Sequence, residues 1–89
     1  MLEFDWDEEN LNHIAKHHVT AAEAEYALDN PTLDIEYQVV NGEERYVEAG
    51  ATAQGRVLEI VTTFRGLKTR VVTAYDADLH VIQEYHQTR

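Results

Sequence analysis

LDIEYQVVNGEERYVEAG, residues 33–50, decides the fold. Leu33, Ile35, Tyr37 and Val39 alternate with Asp34, Glu36 and Gln38, a period of two that sends alternate side chains to opposite faces of an extended strand. Asn41-Gly42 then interrupts the pattern. The tightest hairpins need positive φ at both central positions, and Asn followed by Gly meets that need at low steric cost. Glu44 to Gly50 returns as the second arm. This segment therefore reads as a β-hairpin, and a hairpin needs further strands or a helix to bury its apolar face.

The sequence supplies both on either side. Towards the C-terminus, residues 51–55 turn the chain and Arg56 to Phe64 forms a rich strand with VLEIVTTF at its heart. Arg65-Gly66-Leu67-Lys68 turns again, and Thr69 to Tyr75 is the last strand. If alternation persists there, Arg70, Val72 and Ala74 share a face. Asp76 then caps a closing helix from Ala77 to about His86, with Leu79, Ile82 and Tyr85 three residues apart.

Towards the N-terminus, Leu2 to Trp6 alternates apolar and acidic residues as a short strand does. Asp7 is a good N-cap for a helix from Glu8 to about His18, and Glu8 and Glu9 suit the positive end of its dipole. Thr20-Ala21-Ala22-Glu23 is a capping box that starts a second helix at Ala21, and Asp29-Asn30-Pro31 ends it after Leu28. The expected order is β-α-α-β-β-β-β-α, an α+β domain over residues 1–89 with helices packed on an antiparallel-rich sheet.

Composition narrows the function. A chain of 89 residues suits one domain with a modest core. Cysteine is absent, so neither a disulfide nor a thiolate nucleophile is available. The acidic start MLEFDWDEEN has no signal-peptide pattern and no apolar run is long enough to span a membrane, so a soluble, cytoplasmic protein without membrane contact is expected. The net charge of −10 argues against nucleic acid as a bulk partner. That charge is uneven. Residues 1–40 hold ten acids and one base, Lys16, whereas residues 45–70 hold Arg45, Arg56, Arg65, Lys68 and Arg70 against Glu48 and Glu59.

Three of the five histidines, His13, His17 and His18, fall in the first helical segment. His13 and His17 are four apart and share a helix face. A zinc site needs a third ligand, the HExxH pattern is missing, and His18 points elsewhere. The better reading puts His17 and His18 in the last helical turn, complementing its exposed carbonyls. No metal and no cofactor is expected.

Taken together, FDWDEEN, Asn12, Lys16-His17 followed by Val19-Thr20, and the AAEAE-type second helix resemble the BrnT family, whose opening runs W-D … N … KHGVSFEEA. Trp6, Asp7, Asn12, Lys16, His17, Val19 and Ala24 occupy the matching positions. Gly42, Glu43, Glu44, Arg45, Tyr46 and Gly50 resemble the family's hairpin arm, and VTTFRGLKTRVVTA resembles the strand–turn–strand that usually ends RIISAR. The resemblance spans nearly the whole chain. It implies a compact RelE-like fold, the toxin part of a type II toxin–antitoxin pair, metal-independent ribonuclease activity on RNA, a helical DNA-binding antitoxin as partner, and a toxin homodimer in the complex.

Metal-free RNA cleavage needs a base for the 2′-hydroxyl proton, an acid for the leaving oxygen, and cations to hold the phosphate. Arg45, Arg65 and Arg70 match the family's hairpin, turn and strand arginines and are the candidate phosphate ligands, since a guanidinium fork grips phosphate in a bidentate way. Surface charge on a sheet is the plainer role for each. Tyr85 matches the tyrosine of the closing helix and is the fourth candidate, although a core-packing ring with its hydroxyl at the rim is the better reading.

The chain departs from the family at three positions. Tyr75 stands where the arginine of SAR belongs, Asp76 replaces the next basic residue, and Val81 occupies the place of a glutamate. An active toxin and a non-catalytic, protein-binding or homodimeric descendant are both consistent with this pattern. A histidine metal site is a distant third.

Overall fold

The computed structural model describes residues 2–88. Its elements are α1 (Glu8–Ala15), α2 (Ala21–Asp29), β1 (Leu33–Val40), β2 (Glu43–Ala51), β3 (Val57–Arg65), β4 (Lys68–Asp76) and α3 (Leu79–Gln87). The strands form one antiparallel sheet in the order β1-β2-β3-β4, a meander in an α+β fold. Asn41 and Gly42 take φ of 51° and 78°, so the hairpin signal is realised in the conformation it demands.

Two apolar clusters hold the layers. On one sheet face Ile14, Val19, Ala24, Ala27 and Leu28 of the α1–α2 region pack on Leu58, Ile60, Val71 and Ala74. On the other face Val81 and Tyr85 of α3 pack with Ala77 on Ala49 and Val57. The neighbours Val57 and Leu58 thus serve opposite layers, as strand alternation requires. Gly50 lies directly beneath α2: a Cβ there would sit 2.8 Å from the Ala27 carbonyl oxygen, so only glycine permits this approach.

Four local expectations are revised. The segment from Leu2 to Trp6 makes only one parallel bridge, Phe4 to Thr69, flanked by the Asp5 amide to the Thr69 carbonyl and the Thr69 amide to the Glu3 carbonyl. Helix α1 stops at Ala15 because His18 enters the left-handed region at φ 59°. The His18 amide then donates to Ala15 and the Val19 amide to Ile14, the paired bonds of a Schellman motif, with Val19 and Ile14 joining the same core. Asp76 belongs to β4, and α3 is capped instead by Asp78, whose side chain accepts from the Val81 amide. Finally, the β3–β4 register shifts after Val61, which pairs with Thr73 while Thr62 pairs with Val71. Val72 is therefore a bulge, and Arg70 shares its face with Thr73 rather than with Ala74.

Candidate active-site cleft

Helix α3 covers only part of its sheet face. Beyond it, towards the turns at Gly42 and Gly66, lies a cleft of about 450 Å³. Arg45 from β2, Arg65 from the end of β3 and Arg70 from β4 all line it. The three arginines therefore converge, from three neighbouring strands of one sheet. Tyr85 does not join them. It is nearly buried within the α3 cluster, beside Val81.

The arginines differ in how they are held. The Arg45 Nε donates to Glu43 at 2.9 Å, and Arg65 reaches the other Glu43 oxygen at 3.9 Å. Their side chains remain 29% and 54% exposed, so a ligand can reach both. Arg70 is 6% exposed and grips Asp7 with both terminal nitrogens, at 3.0 and 3.1 Å. It also donates to Glu9 at 3.0 Å and lies 3.7 Å from Asp5. This network holds the Asp7 carboxyl below its ordinary value, through the Arg70 hydrogen bond first and the Asn10 amide next. The same bond raises the Arg70 guanidinium. Arg70 thus fastens the start of α1 to the edge strand as well as bordering the cleft.

Asn10, hidden from simple motif reading, completes that anchor. It is 2% exposed and donates to the Asp5 and Val71 carbonyls while accepting from the Asp7 amide. Its signals in the sequence are its place three residues after the Asp7 cap and at the end of FDWDEEN. The matched Asn12 is exposed. Glu9 and His13, at helical spacing on α1, and Glu43, two residues before Arg45, also line the cleft.

The other histidines sit outside this lining. The His17 ring lies 5.9 Å from His13 and 5.9 Å from Tyr75, a short aromatic file along the α1–β4 edge. The carbonyls at the end of α1 are satisfied by Arg56, which donates to His18 at 2.7 Å and His17 at 3.1 Å and pairs with Asp76 at 2.6 Å. The imidazoles do not perform that task. Among the described residues no group of three or more His, Asp or Glu side chains is placed to hold a metal ion.

The departures from the family pattern fall outside the cleft. Val81 is buried in the α3 cluster. Tyr75 faces Glu59 across the β3–β4 pair, and burial, with Asp78 nearby, pushes the Glu59 carboxyl upward. Neither position lines the arginine cleft.

Among the described residues no helix is long and apolar enough to cross a membrane. No curated protein matches the chain significantly. A family model does match: residues 6–80 fit the ribonuclease toxin BrnT of type II toxin–antitoxin systems. The matched span contains every residue lining the cleft and stops before Tyr85. The chain belongs to the BrnT family of ribonuclease toxins, and its implied partner is a cognate antitoxin.

Proposed function

We propose that the protein is a type II toxin that cleaves RNA in the arginine cleft, acting as one domain. The convergence of Arg45, Arg65 and Arg70 carries this reading. Arg45 and Arg65 hold the scissile phosphate and meet the charge that develops on it. Arg70 holds α1 against β4 and presents the cleft wall, because a phosphate would have to displace Asp7 and Glu9 to reach it. Tyr85 acts through packing rather than at phosphorus.

The antitoxin we infer is a helical DNA-binding protein. Such a protein carries basic charge, and the toxin's net charge of −10 complements it. In the complex the toxin forms a homodimer, as the family resemblance implies, and works in the cytoplasm, where RNA is available.

Incubation of labelled mixed-sequence RNA with the purified protein in excess chelator tests the proposal. The parent is expected to cleave, and Arg65→Ala to lose a factor of about 10²–10³ in rate without a change in Tm. Arg65 is the better control than Arg70, whose removal would also unseat α1. A parent rate no higher than that of Arg65→Ala would leave the fold as a non-catalytic protein-binding descendant.

A further inference from the structure

The arginines explain how a phosphate is held but leave the proton transfers unassigned. Among the described residues, the cleft lining offers three carboxyl or imidazole side chains: Glu9, His13 and Glu43. Glu9 pairs at 3.0 Å with Arg70, which anchors α1, whereas Glu43 pairs at 2.9 Å with Arg45, an arginine that a bound phosphate would engage and so release from Glu43. Glu43 and His13 remain, and the sheet order separates them. Glu43 stands on β2, whereas His13 stands on α1, which contacts the edge strand β4. Arg65 and Arg70, on β3 and β4, lie between, and Arg45 stands two residues from Glu43 on β2.

Cleavage by the 2′-oxygen is an in-line displacement, so the attacking and departing oxygens leave phosphorus in opposite directions. A base and an acid are needed on opposite sides of a cationic phosphate site, and the cleft draws Glu43 from β2 and His13 from the helix that contacts β4, with Arg65 and Arg70 on the strands between. A carboxylate is suited to accept a proton, and imidazole is the side chain that ordinarily titrates near neutral pH.

We propose that Glu43 is the general base and His13 the general acid of this ribonuclease, an assignment that rests on the RNA-cleaving reading above. The Glu43 carboxylate takes the proton of the ribose 2′-hydroxyl as the 2′-oxygen bonds to phosphorus. The bond from phosphorus to the 5′-oxygen breaks, and the imidazolium of His13 gives its proton to that oxygen. The products are a 2′,3′-cyclic phosphate and a 5′-hydroxyl, and solvent exchange returns both side chains to their starting states. The charged groups around the pair are Glu9 on the helix of His13, Arg70 from β4, and Arg45 and Arg65 beside Glu43. His17 touches the His13 ring and is the further titratable neighbour.

The simpler account of His13 is a basic residue in the last turn of α1 that complements the helix dipole. Rate against pH separates the two. With labelled mixed-sequence RNA, the parent is expected to give a bell-shaped profile and a cyclic phosphate product. His13→Gln should lose about 10²–10⁴-fold in rate and the alkaline falling limb, with RNA affinity and Tm unchanged. Glu43→Gln should lose the acidic rising limb. An RNA whose 5′-bridging oxygen is sulphur provides the decisive arm, because a thiolate leaves without protonation. That substrate should restore the His13→Gln rate to near the parent's and leave Glu43→Gln slow.

A parent that cleaves while His13→Gln keeps its rate and both limbs overturns the assignment alone. So does a slow His13→Gln that the sulphur substrate fails to restore. A parent with no cleavage overturns the assignment and the ribonuclease reading together.

Discussion

The two halves of the sheet face that carries α3 are built from the same strands and differ in what covers them. Over one half, Val81 and Tyr85 close down on Ala49 and Val57. Over the other, the same strands present Glu43, Arg45, Arg65 and Thr73 to a cleft. Nothing in strand periodicity distinguishes the halves, since both place every second side chain on that face. Helix α3 spans only Leu79–Gln87, too short to cover the whole face, so the uncovered end must carry groups that tolerate water. The family's closing-helix tyrosine is therefore packed here, and its strand arginines line the open end.

Removing the covering ring should break the closed half most severely. Tyr85→Ala deletes a nearly buried aromatic and is expected to lower unfolding free energy by about 3 kcal/mol, read by urea denaturation. Tyr85→Phe keeps the ring and should stay within about 1 kcal/mol of the parent. A small loss for Tyr85→Ala would mean that α3 is loosely seated and the two halves are less distinct than they are drawn above.

The open half is sharpened by acid. Its wall depends on Asp7, whose carboxyl is held below its ordinary value of 3.8 by Arg70. The folded state therefore binds that proton less readily than the unfolded chain. The stabilisation is fully present above about pH 4 and disappears as pH falls through the lowered folded value. Asp7→Asn keeps a capping oxygen but removes the titration. Its stability should therefore change less steeply with pH below about 4 than the parent's does, as thermal melts across that range would show. Parallel slopes would detach Asp7 from the wall.

The smallest effect lies at the junction of α1 with the core. His18 occupies a left-handed position that glycine fills more easily. His18→Gly should stabilise the fold by up to about 1 kcal/mol in the same urea titration. It should leave the cleft unaltered, because His18 does not line it. A loss of stability would show that the imidazole contributes more than its backbone conformation costs.

Legibility followed the range of the interactions. The Asn41-Gly42 turn, the Thr20–Glu23 box and the Asp7 cap are local devices whose geometry is set within four residues, and the structure contains all three. The start of α3 was misplaced by two residues because Asp76 and Asp78 are equally good caps, and only the length of the β3–β4 ladder decides between them. Among the site residues, the three arginines were visible through the family pattern. Asn10 and Glu43 lay inside stretches that resemble the family, but their roles were not legible, because one draws its role from Val71, sixty-one residues away, and the other from its register beside Arg45 and Arg65.

By itself, then, the sequence determined the order of elements, the hairpin, the caps and the family, all of which depend on neighbours along the chain. The tertiary structure alone decided which half of a sheet face stays open. The bulge at Val72 turns Thr73 onto the face of Arg70, and the short span of α3 leaves that end uncovered. Both follow from long-range packing and strand register, which alternation in the sequence leaves free.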